Sequence, residues 1–181
     1  MCRYAMSSYK PHYACFECRK SFKRRLSSDI DRDNKNQEEP AKCPDCGSLM
    51  ADMGLDFESP KKKDIKAWKH IKNLYTSGIT FHSCGCTGPG FVPKDYDELV
   101  SYLERIKKQF IDHRRFWQHR VEPSNDREKQ KDWDNNKKYL VNIPQNLKIG
   151  TKKKSRVDID QAVDYWTKNI KCIESKIEEL A

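Results

Sequence analysis

Cys15-Phe16-Glu17-Cys18 and Cys43-Pro44-Asp45-Cys46-Gly47, separated by 24 residues, decide the fold of the first part of this chain. In a Cys-x-x-Cys unit the chain reverses over the two middle residues, so both sulfurs reach one metal. Two such turns complete a tetrahedral shell with Zn–S near ~2.3 Å. Gly47, directly after the second pair, lets backbone amides approach the thiolates and spread their charge. The candidate ligands are therefore Cys15, Cys18, Cys43 and Cys46, holding one structural Zn2+. The eight cysteines are read as thiols rather than disulfides because of the expected compartment. No stretch approaches the ~20 apolar residues of a membrane span. Residues 1–7 lack the apolar run of a signal peptide, which makes the cytoplasm the expected location.

On these residues the chain resembles the zinc-ribbon superfamily. Cys43-Pro44-Asp45-Cys46-Gly47 is similar to a rubredoxin-type knuckle and Cys15-Phe16-Glu17-Cys18 to its partner, over residues 12–50 only. The resemblance implies a small β-rich module built around a metal. It departs from rubredoxins at Arg19, where Gly is usual, and in its polar linker. Both departures point away from an iron electron-transfer site.

Outward from the ribbon, the sequence divides into 1–58, the zinc-ribbon module; 59–93, a short helix and a Gly-rich loop; and 94–181, a helical region. Between the cysteine pairs, residues 27–40 carry almost no apolar side chains and read as a loop. Over 60–78, Ile65, Trp68, Ile71, Leu74 and Tyr75 recur at helical steps, with Pro60 at the entrance and Gly78 at the exit. A strand-like Ile79-Thr80-Phe81 follows. Over 95–119, Tyr96, Leu99, Leu103, Ile106, Phe110, His113 and Trp117 form a heptad seam, with Asp95 as N-cap and Glu98 as its capping-box partner. Residues 122–154 are punctuated by Pro123, Pro144 and Gly150; Trp133, Tyr139, Leu140, Val141 and Ile143 are the candidate anchors of this polar segment. The last helix is expected from about Asp158 to Leu180, with Ser155 as N-cap and a seam of Ile159, Val163, Trp166, Ile170, Ile173, Ile177 and Leu180. Two matched seams predict an antiparallel helical hairpin. The fold class is α+β: a zinc ribbon, a short helix, then the hairpin.

His82-Ser83-Cys84-Gly85-Cys86 offers a candidate second metal site through His82, Cys84 and Cys86, with Cys2 or His12 as a fourth ligand. The competing reading is a tight turn with two free thiols. Cys172, off the seam of the last helix, has no expected role.

Lys and Arg number 36 against 27 Asp and Glu, a formal charge of +9. Such a balance favours an anionic partner. The cations cluster at Arg19, Lys20, Lys23, Arg24 and Arg25; at Lys61, Lys62, Lys63 and Lys66, continued by Lys69 and Lys72; and at Lys152, Lys153, Lys154 and Arg156. Aromatic residues among cations can stack on bases. Trp68, however, sits between Ile65 and Ile71 and reads as core. There is no phosphate-binding glycine loop, nucleophile elbow or His-Glu-x-x-His, and His113 falls on an apolar seam, so no catalytic residues are expected. The sequence reads as a non-catalytic nucleic-acid-binding protein, associated with RNA or ribosomes. The alternative is a protein-interaction adaptor that uses the heptad helices.

Overall fold

The computed structural model describes residues 10–24, 41–83, 88–150 and 156–180. The fold is α+β, and the chain separates into two compact units, 1–99 and 100–181. No helix among the described residues is long and apolar enough to cross a membrane.

The first unit is built on a three-stranded antiparallel sheet of order β2-β1-β3. Its strands are β1 (His12–Cys15), β2 (Lys20–Lys23) and β3 (Ala51–Gly54). Alternation along β1 and β3 directs Ala14, Ala51 and Met53 inward, where they meet Phe57, Trp68 and Ile71. Ile79-Thr80-Phe81 is not a strand. It is an extended segment tied at one point, where Phe81 N–H donates to the Met53 carbonyl (2.8 Å) and Asp56 N–H to the Phe81 carbonyl (3.1 Å). That approach requires Gly54. Its φ is +88°, and a Cβ there would lie 2.6 Å from the backbone of Phe81 and His82.

Helix α1 (Ile65–Thr76) begins later than Pro60 suggests, because Asp64 caps it by accepting from Ala67 N–H (3.0 Å). Trp68, Ile71 and Leu74 are buried, but Ile65 and Tyr75 are exposed. Gly78, at φ +84°, ends the helix as expected. Ile79 N–H returns to the Leu74 carbonyl and Gly78 N–H to that of Tyr75, the two bonds of a Schellman motif.

Helix α2 (Tyr96–Gln118) is capped by Asp95, which accepts from Glu98 N–H (2.9 Å). Glu98 reaches back to Lys94 N–H (2.6 Å) rather than to the cap residue itself. The boundary between the units falls in its first turn. Leu99, Leu103 and Trp117 of the seam are buried, whereas Tyr96 is exposed.

The second unit contains a helix that periodicity does not reveal. Helix α3 (Asp126–Val141) has no buried residue and runs through the segment read as polar. Asn125 caps it, accepting from Glu128 N–H (2.9 Å), while Glu128 accepts from the Ser124 N–H and hydroxyl. Short-range pairs Lys129–Asp126, Gln130–Asp134 and Asn136–Asp132 support its surface. Of the expected anchors, Tyr139, Leu140 and Ile143 pack inward. Trp133 and Val141 are 43% and 53% exposed, because nothing apolar recurs beside them on α3. Strands β4 (Lys148–Ile149) and β5 (Arg156–Val157) form a small antiparallel ladder. Helix α4 (Ile159–Leu180) then closes the unit. Its cap is Asp158, which accepts from Gln161 N–H (3.1 Å). Ser155 and Lys152–Lys154 lie outside the described residues.

The two seams meet, but through aromatic rings and with a third helix between them in sequence. Phe110 and His113 of α2 contact Trp166 of α4, with ring centroids 5.3 and 4.3 Å apart. Tyr139 of α3 stacks on Phe116 (4.4 Å). His113 is thus a packed histidine, and burial lowers its pKa. Trp117, Ile143, Leu147, Ala162 and Trp166 form the buried centre. Cys172 is exposed.

Candidate metal centre

The β1–β2 hairpin turn is the first knuckle. The pairing of Cys15 with Lys20 closes the turn, and Cys18 N–H points at Cys15 Sγ, 3.4 Å away. The second knuckle is a loop cinched at its base. Cys43 N–H donates to Ser48 (2.8 Å), Gly47 N–H to Cys43 (2.9 Å) and Met50 N–H to Ala41 (2.8 Å), beside an isolated bridge between Lys42 and Leu49. The residue after the second cysteine is left-handed in both knuckles: Arg19 at φ +51° and Gly47 at φ +76°. A side chain at that position is disfavoured by about 1–2 kcal/mol. Arg19 tolerates it with its guanidinium anchored, Nε donating to the Lys62 carbonyl (3.1 Å).

These turns bring the Sγ atoms of Cys15, Cys18, Cys43 and Cys46 within 4.8 Å of one another. Contacts run across the knuckles, Cys15 to Cys46 at 3.6 Å and Cys18 to Cys43 at 3.9 Å. A tetrahedron with metal–sulfur bonds of ~2.3 Å has edges of roughly 3.8 Å, so the sulfurs stand where a metal needs them. The same distances are far too long for a disulfide, whose S–S is ~2.05 Å. Cys15 and Cys43 are buried with Met50, against Tyr13 and Phe22, while Cys46 faces solvent. Lys20 and Asp45 form an ion pair between β2 and the second knuckle.

The electrostatics show why four thiols so placed call for a cation. The Ser48 hydroxyl, and then its backbone N–H, lower the Cys46 pKa to about 6. Its hydrogen bond with Cys46, and then desolvation, push Cys18 up to about 12. Burial raises Cys15. Cys46 ionises readily while Cys15 and Cys18 resist. A dication among them reverses that balance, because a coordinated thiol is deprotonated. The donor set fits a metal ion, and all four positions of a tetrahedral shell come from the protein. This is the pattern of a structural rather than a catalytic centre.

The other predicted residues divide. The second-metal group cannot be assembled among the described residues: Cys84 and Cys86 lie outside them, and exposed His82 stands 3.6 Å from Asp52. His12 turns away from the thiols, its ring edge-on to Phe57 at 6.2 Å. Cys2 and Arg25 also lie outside the described residues. The Arg19–Lys62 bond brings the first two basic clusters side by side, with Lys23, Arg24, Lys61, Lys62, Lys63 and Lys66 exposed. Lys20 is held by Asp45. The aromatic residues among these cations serve the core. Phe16 lies 6.5 Å from Trp68 and 5.8 Å from Tyr75, ring to ring, which joins the first knuckle to α1. Phe22 packs against the cysteines. The left-handed turn at Arg19 was marked in the sequence only by its position after a Cys-x-x-Cys pair. No local pattern marked Gly54.

No protein-family model, curated protein or solved structure matches this chain. The class rests on the geometry: a protein with a four-cysteine site able to hold a metal ion, set in a small antiparallel sheet.

Proposed function

We propose that the protein is a non-catalytic zinc-ribbon protein that binds RNA through the basic surface beside its metal-fixed turn. Four thiolates accept zinc or iron; the departures from the rubredoxin pattern at Arg19 and in the linker favour zinc. The observation that carries the reading is the bond from Arg19 to Lys62. It sets the cations that follow the first knuckle next to those that lead into α1, so two separate runs of sequence offer charge from one neighbourhood. A zinc-fixed turn would hold the first of them rigidly, and binding then loses less conformational entropy than a mobile basic tail would. Association with the ribosome is one setting in which such a surface would act.

The test is a filter-binding titration of single-stranded RNA at two salt concentrations. Reversing Lys23, Arg24 and Arg25 to Glu should weaken binding more than reversing Lys152, Lys153 and Lys154, although both changes alter net charge equally. Affinity should fall with salt, with a log–log slope of roughly −0.7 per phosphate contact. Equal losses would reduce the surface to a non-specific polycation. No binding at low salt would favour the adaptor reading, in which the apolar helices engage a protein.

A further inference from the structure

The chain has four tryptophans, and three are buried: Trp68, Trp117 and Trp166 are 3%, 1% and 5% exposed. Trp133 is 43% exposed. It lies on α3, a helix with no fully buried residue, one face of which (Tyr139 and Leu140) packs inward. Trp133 forms one wall of a groove of about 540 Å³ in the second unit, floored by Trp117 and Leu140. That volume suits a small organic ligand.

The charges around the groove are uneven. Arg120, Lys129, Lys148 and Arg156 line it, with Glu122 and Asp132 as the carboxylates. Asp132 is engaged by Arg120 through two bonds, 2.6 and 2.8 Å, and accepts a third from Asn136. Glu122 stands 3.7 Å from the same guanidinium, and Lys129 is paired with Asp126 at 3.0 Å. Among the described residues, no carboxylate lies within ion-pair distance of Lys148 or Arg156. The groove therefore offers a flat apolar face beside two cations that no carboxylate among the described residues compensates.

A phosphate alone would leave the indole unused, and a neutral ring would leave the cations unused. A nucleotide uses both. We propose that this groove binds one nucleotide of a single-stranded nucleic acid, its base stacked on Trp133 and its phosphate held by Lys148, with Arg156 on the adjoining strand adding positive charge at the groove's edge. The inference extends the nucleic-acid reading to the second unit and does not depend on the ribbon's basic surface.

The experiment uses the intact zinc-loaded chain, short oligouridylate as probe and tryptophan emission as readout. Binding should quench the emission of the exposed indole. Trp133→Leu should remove that quenching and weaken binding about tenfold, the effect of losing one stacked base. Trp133→Phe, which keeps a ring, should lose less. Both variants should keep the wild-type circular dichroism and melting temperature, since the side chain is exposed. Lys23, Arg24 and Arg25 reversed to Glu should leave quenching at saturation intact. Oligonucleotide binding with unchanged Trp133 emission, or equal quenching by polyglutamate, overturns the inference while the RNA reading stands. No oligonucleotide binding at low salt overturns both.

Discussion

The two units solve the same stability problem by different means. The first has a short sheet, one twelve-residue helix and a modest apolar cluster, and two of its fully or nearly fully buried residues are cysteines of the candidate metal site. The second has no metal-binding group among its described residues. It is held by stacked aromatic rings around Trp117 and Trp166 and by one sequestered ion pair, Arg120–Asp132, with side chains 7% and 17% exposed. A small core can be completed either by coordination bonds or by ring packing plus a charge pair. The contrast predicts that perturbations should separate the units.

The largest effect should come from Cys43→Ser. Structural zinc in small modules contributes about 10–16 kcal/mol, comparable with the whole stability of a domain. The variant should lose the ordered N-terminal unit, including α1, and keep the helical signal of α2, α3 and α4. Circular dichroism with hydrogen exchange distinguishes this from global unfolding. Loss of all helix would show that the second unit does not stand alone.

In the second unit, Asp132→Ala should cost about 1.5–3 kcal/mol, because it removes two charge-assisted bonds from the Arg120 guanidinium and leaves it only Glu122, 3.7 Å away. Urea denaturation monitored on Trp117 and Trp166 reads it. Metal content should not change. A loss below about 1 kcal/mol would mean that solvent reaches Arg120.

Acid should destabilise the second unit in two steps. Burial lowers the pKa of His113 below its ordinary 6.5, so the unfolded chain binds this proton first and stability falls as pH drops below that value. Hydrogen bonding from Arg120 lowers Asp132 below its ordinary 3.8, adding a second loss at lower pH. Both contributions are fully present at neutral pH. His113→Phe should remove the first step and leave the second, as melting temperature against pH would show.

The smallest effect concerns the knuckles themselves. Arg19→Ala keeps the left-handed strain but loses the bond to Lys62, and should destabilise the first unit by roughly 1 kcal/mol. Gly at the same position loses the bond and relieves the strain, so it should be closer to neutral. If Ala and Gly behave alike in thermal melts, the backbone at Arg19 is not under strain.

What could be read from the sequence follows from how local each cause is. The four-cysteine cluster was legible because Cys-x-x-Cys places two sulfurs by spacing alone. Trp68, Ile71 and Leu74, Leu99, Leu103 and Trp117 of α2, and Trp166, Ile170 and Ile173 of α4 were legible from helical period; Ala162 was not, because it lies off the heptad seam. Helix α3 was not, because its support is hydrogen bonding rather than an apolar stripe, although Asn125 and Glu128 already formed a capping box behind Pro123. The exposure of Trp133 ran against its residue type. The Arg120–Asp132 pair and the approach of Phe81 to Gly54 arise only once the chain is folded. The bond from Arg19 to Lys62 likewise spans a separation that no sequence pattern encodes.

The claim on which the rest depends is that the four sulfurs hold a metal. Native mass spectrometry of reduced protein, paired with elemental analysis, measures it directly. The account predicts one zinc ion per chain, lost in Cys43→Ser and retained in Asp132→Ala. A folded, reduced chain that carries no metal would contradict it.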